Sequence, residues 1–317
     1  MSESIIECVP NISEGTDLEK VERIIAGVRD VEGVTLVGCE SDADHNRSVI
    51  TLAGNGDALV EAAFRIYKAA KDEIDLNKHL GEHPRMGAVD VCPFIPVADA
   101  TMEQCVACAE KLAERVGKEL ELPIYLYESA ARREDRKNLA TIRKGQFEKL
   151  KDLIGKDEDR VPDFGPNAIH PTFGCSAIGA RFFLIAYNVN LNSDDVALAK
   201  TIGKTVREKD GGMKAVKGMG FEIQMNGKTY GQVSMNLVDY RETSPALVYK
   251  RIEELAAEQS VDVLESELIG VMPQATVDLC AEQLGINESD AGARADAVAK
   301  ALKIKGWKRE MVLENNL

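Results

Sequence analysis

Apolar residues from 4 to 9 stop at Pro10, the pattern of a short strand. Leu18, Val21, Ile25 and Val28 then recur at helical spacing, with Thr16 and Glu19 ahead of them as a capping box. Strands are predicted near 34–38 and 48–53, flanking a polar loop. A helix follows from Asp57 to Leu76, striped by Val60, Ala63, Phe64, Tyr67, Ala70 and Ile74. The apolar run Val89 to Val97 closes this set as a strand.

The same order returns in the second half. FFLIAYNVNL, from Phe182, reads as a buried strand, and a helix bearing Leu198, Ile202 and Val206 closes at Gly211. Strands near 216–225 and 230–239 meet at Asn226-Gly227, a strong hairpin signal. Ser244 as N-cap and Pro245 at the first helical position start a helix carrying Val248, Ile252 and Leu255, and a strand near 261–271 follows. Two successive β-α-β-β-α-β units predict an α+β protein, a tandem duplication of two ferredoxin-like (split β-α-β) subdomains with helices on one face of each sheet. The division expected is 1–179, including a connecting segment, and 180–317. That connector, 98–178, holds an amphipathic helix from Met102 to Leu120, a short strand at Ile124–Tyr127 and a basic helical stretch to Leu153. A crevice between two such sheets is a natural place for a ligand.

Composition narrows the class. The 317 residues are 44% hydrophobic and 29% charged, ordinary for a water-soluble chain with two cores. No apolar run approaches a bilayer span, and the N-terminus lacks the pattern of a secretory signal, so a cytoplasmic protein with no membrane partner is expected. Seven scattered cysteines fit a reducing compartment without structural disulfides. A net charge of -14 argues against nucleic acid as a partner. The basic cluster Arg132, Arg133, Arg136, Lys137, Arg143 and Lys144 is either a solvated helix face or a local anion site.

Candidate chemistry concentrates in KHLGEHPRMGAVDVCPFIP, Lys78 to Pro96, which holds two of the four histidines. Pro84 forces His83 out of helical space, placing its imidazole on an extended turn. His79 to His83 also spells H-x-x-E-H, a zinc-protease pattern requiring a continuous helix, which Gly81 and Pro84 oppose. Glu82 either tunes His83 or is an exposed turn carboxylate, and His79 is read as ending the preceding helix. Arg85 either clamps a substrate carboxylate or pairs with Asp90. Residues 40–46 alternate acids like a calcium loop, yet Arg47 stands where glycine is needed. Cys105-x-x-Cys108 lacks a second pair for zinc and reads as helix packing. Ala180-Arg181 replaces the residues a phosphate loop needs after Gly174 to Gly179.

The runs ECVPNISEG, Asn46-Arg47, EHPRMGAVDVCPF, LPIYLYESAA and VPDFGPNAIHPTFG, joined later by GARFFLIAYNVNL and GGMKAVKGMG, resemble the glutamate formiminotransferase family over nearly the whole chain. The resemblance implies transfer of a formimino group from N-formimino-L-glutamate to N5 of tetrahydrofolate, in histidine degradation and one-carbon metabolism. It implies tetrahydrofolate as co-substrate, polyglutamylated or not, no metal, and a homodimer. Because the chain ends at Leu317, a separate cyclodeaminase is expected downstream.

His83 matches the family's catalytic histidine, and a neutral imidazole suits the proton transfer that amine attack on an amidine requires. The matching folate-binding stretch is Gly165, Pro166, Asn167, Ala168, Ile169, His170, Pro171, Thr172, Phe173 and Gly174, with Phe164 or Phe173 offered to the pterin ring. On composition alone this stretch also fits an interdomain linker. Glu40, Asn46, Arg47, Arg85, Asp163 and Phe164 are further substrate-binding candidates. The glycines of 211–220 allow closure over substrate. Alternatives are formyl transfer between 5-formyltetrahydrofolate and glutamate, glycine formiminotransfer, a zinc hydrolase using HxxEH, or a folate-binding module without turnover.

Overall fold

The computed structural model describes residues 4–316 apart from Glu82 and Asn226. The chain divides into two compact units, Met1–Arg181 and Phe182–Leu317.

In the first unit, β1 (Ile5–Cys8) and β2 (Asn11–Ile12) are interrupted at Pro10, which cannot donate to a ladder. They lie between β4 (Arg47–Gly54) and β5 (Val89–Ala98), and β3 (Val34–Asp42) forms the outer edge on β4, all antiparallel. α1 (Leu18–Ala26) and α2 (Gly56–Glu73) complete the predicted order. The stretch expected to connect the domains belongs to this sheet instead. After α3 (Met102–Glu119), β6 (Ile124–Glu128) and, later, β7 (Ser176–Ala180) add parallel strands beyond β5, giving seven strands. All five residues of β7 are buried, so its SAIGA sequence shows none of the alternation that marks a half-exposed strand.

α1, α2 and α3 cover one face, where Ile50, Leu52, Tyr67, Phe94 and Phe173 are fully buried. On the opposite face α4 (Leu139–Arg143) and α5 (Gln146–Leu153) pack Ile142 and Leu150 against Tyr125, Tyr127 and Val91. Helices therefore occupy both faces at this end, not the single face expected.

Local details also differ from expectation. The N-cap of α1 is Asp17, which accepts from Lys20 N at 2.9 Å, while Thr16 donates its hydroxyl to Glu14 at 2.9 Å. The buried stripe is accordingly Val21, Ile24, Ile25 and Val28, and Leu18 is 62% exposed. β3 continues through Glu40, Ser41 and Asp42, so the turn is shorter than the polar loop suggests.

The second unit is β8 (Ile185–Leu191), α6 (Val196–Val206), β9 (Val216–Met225), β10 (Lys228–Leu237), α7 (Pro245–Ala257) and β11 (Val263–Ile269). Its antiparallel sheet has the order β11-β8-β10-β9. With β1 and β2 counted as one interrupted strand and β6 and β7 set aside, both sheets place the fourth strand beside the first, the third next and the second at the edge. Ser244 caps α7 with Pro245 in its first turn, as its sequence predicts. Gly227 takes φ +73 between β9 and β10, and its expected partner Asn226 lies outside the described residues. Two more helices, α8 (Gln274–Leu284) and α9 (Ala291–Ala301), follow β11; α9 is rich in alanine and α8 buries Thr276, Val277, Cys280 and Ala281, so neither has a strong apolar period.

Of the 211–220 glycines, Gly212, Gly218 and Gly220 serve packing. A Cβ on Gly220 would lie 2.2 Å from the Lys200 backbone nitrogen, and one on Gly203 would lie 2.8 Å from the Met219 carbonyl carbon, so α6 sits directly on β9. Gly211, at φ +88, has open space around it. Gly220→Ala is expected to destabilise by about 3 kcal/mol through overpacking. Gly211→Ala should cost only about 1 kcal/mol, for its left-handed backbone. Urea unfolding of the two variants checks this order.

Candidate active site

Along β4, Ser48 and Ile50 are buried, so the alternating Arg47 and Val49 project from the other side of the strand. There Arg47 donates through Nε to Asn11 Oδ1 at 3.0 Å, and its Nη2 meets the same oxygen. Its Nη1 meets His83 at Nδ1, 3.0 Å away, and also at Nε2. A cleft of ≈ 320 Å³ beside Arg47 is lined by Glu40, Ser41, Asp42, His45 and Val49. That volume suits a small ligand.

Asn46 secures this arrangement from a left-handed backbone, φ +49. Its Oδ1 accepts from Gly15 N at 2.9 Å and its Nδ2 donates to Leu80 O at 2.8 Å. Its carbonyl accepts from His79 Nε2 at 2.8 Å. Gly81 lets the two segments close, since a Cβ there would lie 2.4 Å from His45 O. Asn46, a substrate-contact candidate by sequence, thus uses its amide to join three chain segments. His79 lies beyond the end of α2 at Glu73, so it does not terminate that helix. Its Nδ1 accepts from Arg85 Nε at 3.1 Å.

Burial, followed by the charges of Arg47, Arg143 and His45, pushes His83 down to about 3. A guanidinium can only donate, so the imidazole nitrogen it meets is an acceptor and the ring is neutral. Burial also lowers Arg47 to about 10, and no carboxylate among the described residues forms an ion pair with it. Glu82, expected either to tune His83 or to be an exposed carboxylate, lies outside the described residues.

Other candidate side chains are occupied internally. Arg85 neither pairs with Asp90 nor stands free; it grips Glu148 with two bonds of 2.9 and 2.7 Å. Asp90 is buried, accepts from Met86 N at 2.9 Å and takes Arg143 Nη2 at 2.5 Å. The basic cluster is largely neutralised: Arg136 bonds Asp163 at 2.7 Å, Arg133 bonds Asp159 at 2.8 Å, and Lys137 bonds Glu134 at 2.7 Å. Arg132, Lys137 and Lys144 are exposed, Arg136 is buried on Asp163, and Arg143 is half-buried beside Asp90, so the run is not one continuous helix face. Asp163 also accepts from Leu126 N at 2.8 Å, which makes it a buried staple.

Within 165–174, Phe173 is fully buried and stacks on Tyr67, with centroids 6.1 Å apart, so it is unavailable to a pterin. Arg132 covers Phe164 at 4.6 Å. Gly165, Pro166, Asn167, Ala168 and Pro171 are exposed, whereas Ile169, His170 and Thr172 are half-buried. The backbone is anchored at Phe164 by Ile124, and at Thr172 by Leu76 N at 2.9 Å. His170 and Gly174 bond each other, while Gly174 bridges to Gly87. This ties the stretch to the strand start that follows His83. Asn11, Asp90, Arg143 and Glu148 join this constellation without any sequence assignment; only the loose pairing idea for Asp90 and the basic run around Arg143 pointed towards them.

His83 carries a proton in the unfolded chain below about pH 6.5 that the folded site refuses until about pH 3. Its contribution therefore makes stability fall as pH drops through that window, and His83→Gln should flatten the loss in acid-unfolding curves. By NMR, the His83 ring should remain neutral at roughly pH 5 and titrate higher in Arg47→Gln.

Residues 5–181 match the formiminotransferase domain, N-terminal subdomain, and residues 186–306 match the formiminotransferase domain. A Streptococcus pyogenes serotype M1 protein named glutamate formimidoyltransferase is 43% identical, over 90% of this chain and 95% of its own length. One of the same name from Thermoplasma acidophilum is 46% identical over 91% and 95%. A formimidoyltransferase-cyclodeaminase of Dictyostelium discoideum is 41% identical over 88% of this chain and 52% of its own. With both halves matched in order and close relatives covered nearly throughout, the chain belongs to the formiminotransferase family.

Proposed function

We propose that the protein is an enzyme that transfers the formimino group of N-formimino-L-glutamate to N5 of tetrahydrofolate, releasing L-glutamate and 5-formiminotetrahydrofolate in histidine degradation. The observation that carries this reading is 43–46% identity, over nine-tenths of the chain, to two proteins named glutamate formimidoyltransferase. The neutral His83, in contact with the Arg47 that lines a cleft, gives it a chemical basis.

In the proposed reaction N5 attacks the amidine carbon, forming a new C–N bond. His83 takes the proton that N5 loses. When the bond from that carbon to the glutamate nitrogen breaks, His83 returns the proton to the leaving nitrogen. Burial, and after it the neighbouring cations, make this imidazole a weak base, and a substrate carboxylate beside Arg47 would offset the part owed to charge. The exposed backbone of 165–168 supports a folate contact made through amide and carbonyl groups, without ring stacking on Phe173.

The shared strand order supports two ferredoxin-like subdomains related by duplication; the chain passes from one compact unit to the other between residues 181 and 182, past the expected 179–180, because β7 runs to Ala180. Among the described residues no helix is long and apolar enough to cross a membrane, and all seven cysteines are free. A cytoplasmic homodimer is the form the family resemblance supports. The zinc reading is disfavoured because His79 donates through Nε2 and accepts through Nδ1, leaving no lone pair for a metal.

A mass-resolved transfer assay on chelator-treated protein should detect 5-formiminotetrahydrofolate. His83→Ala should lower kcat by about 10²–10⁴-fold, the range of general acid–base catalysis, with little change in either KM. Undiminished turnover in that variant would remove His83 from the mechanism, and chelator-sensitive turnover would restore a metal.

A further inference from the structure

Two guanidiniums lie near His83, and only one of them holds a carboxylate. Asp90 bonds Arg143 Nη2, while Arg47 has only Asn11 and His83 among its described partners. Arg143 is close enough for its charge to depress both Arg47 and His83. Its Nε is buried without an acceptor among the described residues, and a buried donor left unpaired is costly. Asp90 bonds only Arg143 of the two cations, and its other oxygen accepts from Met86 N. The other well-buried arginines nearby have carboxylates of their own, Glu148 for Arg85 and Asp163 for Arg136.

We propose that Arg47 and Arg143 form a carboxylate subsite for the α-carboxylate of the donor's glutamate, with Asp90 as the positioning residue that orients Arg143. This rests on the transferase reading. An incoming carboxylate would restore charge balance and accept from the fork of Arg143 at its unused Nε. The chemistry of the donor explains the location. Its α-carboxylate hangs on the carbon that bears the leaving nitrogen, so a guanidinium touching the proton-transfer histidine is well placed for it. Tetrahydrofolate also ends in a glutamate, but the p-aminobenzoyl group separates those carboxylates from N5.

The test compares wild type with Arg143→Gln and Arg143→Lys, each checked for folding by circular dichroism and thermal midpoint. Arg143→Gln should raise the KM for N-formimino-L-glutamate about 10–100-fold, the scale of a lost charged hydrogen bond, and weaken calorimetric binding of L-glutamate to match. Arg143→Lys should recover part of both, and the KM for tetrahydrofolate should stay within about twofold. N-formimino-4-aminobutyrate, which lacks the α-carboxylate, should be a poor donor for wild type and no worse for Arg143→Gln. An equal penalty on that analogue would overturn the proposal. So would a penalty that falls on tetrahydrofolate and vanishes with tetrahydropteroate, since it would assign the subsite to the folate tail. If wild type makes no transfer product, the transferase reading fails separately; L-glutamate binding that weakens in Arg143→Gln still supports the subsite, and unchanged or absent binding sinks it.

Discussion

Asn46 holds the candidate site together. Held in a left-handed turn, it joins the loop before α1, the turn between β3 and β4, and the segment leading to His83, using both ends of its amide and its own carbonyl. Arg47 is the next residue, so its direction is fixed from behind by the strand and from ahead by Asn11. Few side chains combine tolerance of positive φ with a donor and an acceptor on one short arm, which is why asparagine suits this place.

The seven-stranded sheet gives these groups a rigid base and two unlike faces. One is filled by aliphatic and aromatic packing under α1, α2 and α3. The other carries Arg47, and there the short helices α4 and α5 bring in Arg143 and Glu148. Burial and nearby cations keep His83 uncharged where an exposed histidine would titrate close to neutrality. The second unit repeats the strand order without adding β6 and β7, so the duplication is clear in topology but unequal in content.

Much of the secondary structure was legible because it depends on local chemistry: the Ser244-Pro245 start of α7, the apolar stripe of α2, and the strand following Pro84. Misreadings arose where long-range partners decide. Ser176–Ala180 looks like a linker until β5 and β6 lie beside it. Phe173 looks available until Tyr67 stacks on it. Arg85 and Asp90 are five residues apart and look like a pair, yet they take Glu148 and Arg143 from helices more than fifty residues away. No periodicity records which carboxylate a buried arginine will meet. The His83-Pro84 turn was legible because proline acts on the residue before it.

The parallel addition of β6 and β7 sets a timetable during synthesis. When β5 leaves the ribosome, its neighbours β1 and β2 already exist, but its other edge waits for β7, which follows a helix, a strand and two short helices. At bacterial or eukaryotic elongation rates of about 5–20 residues per second, that edge stays unpaired for several seconds. Arg143 and Glu148 arrive during the same interval, and only then can Asp90 and Arg85 be neutralised. A nascent chain paused between β5 and β7 would carry an unpaired apolar strand edge and, on the face α4 and α5 later cover, two charges without their partners, a state open to misassociation.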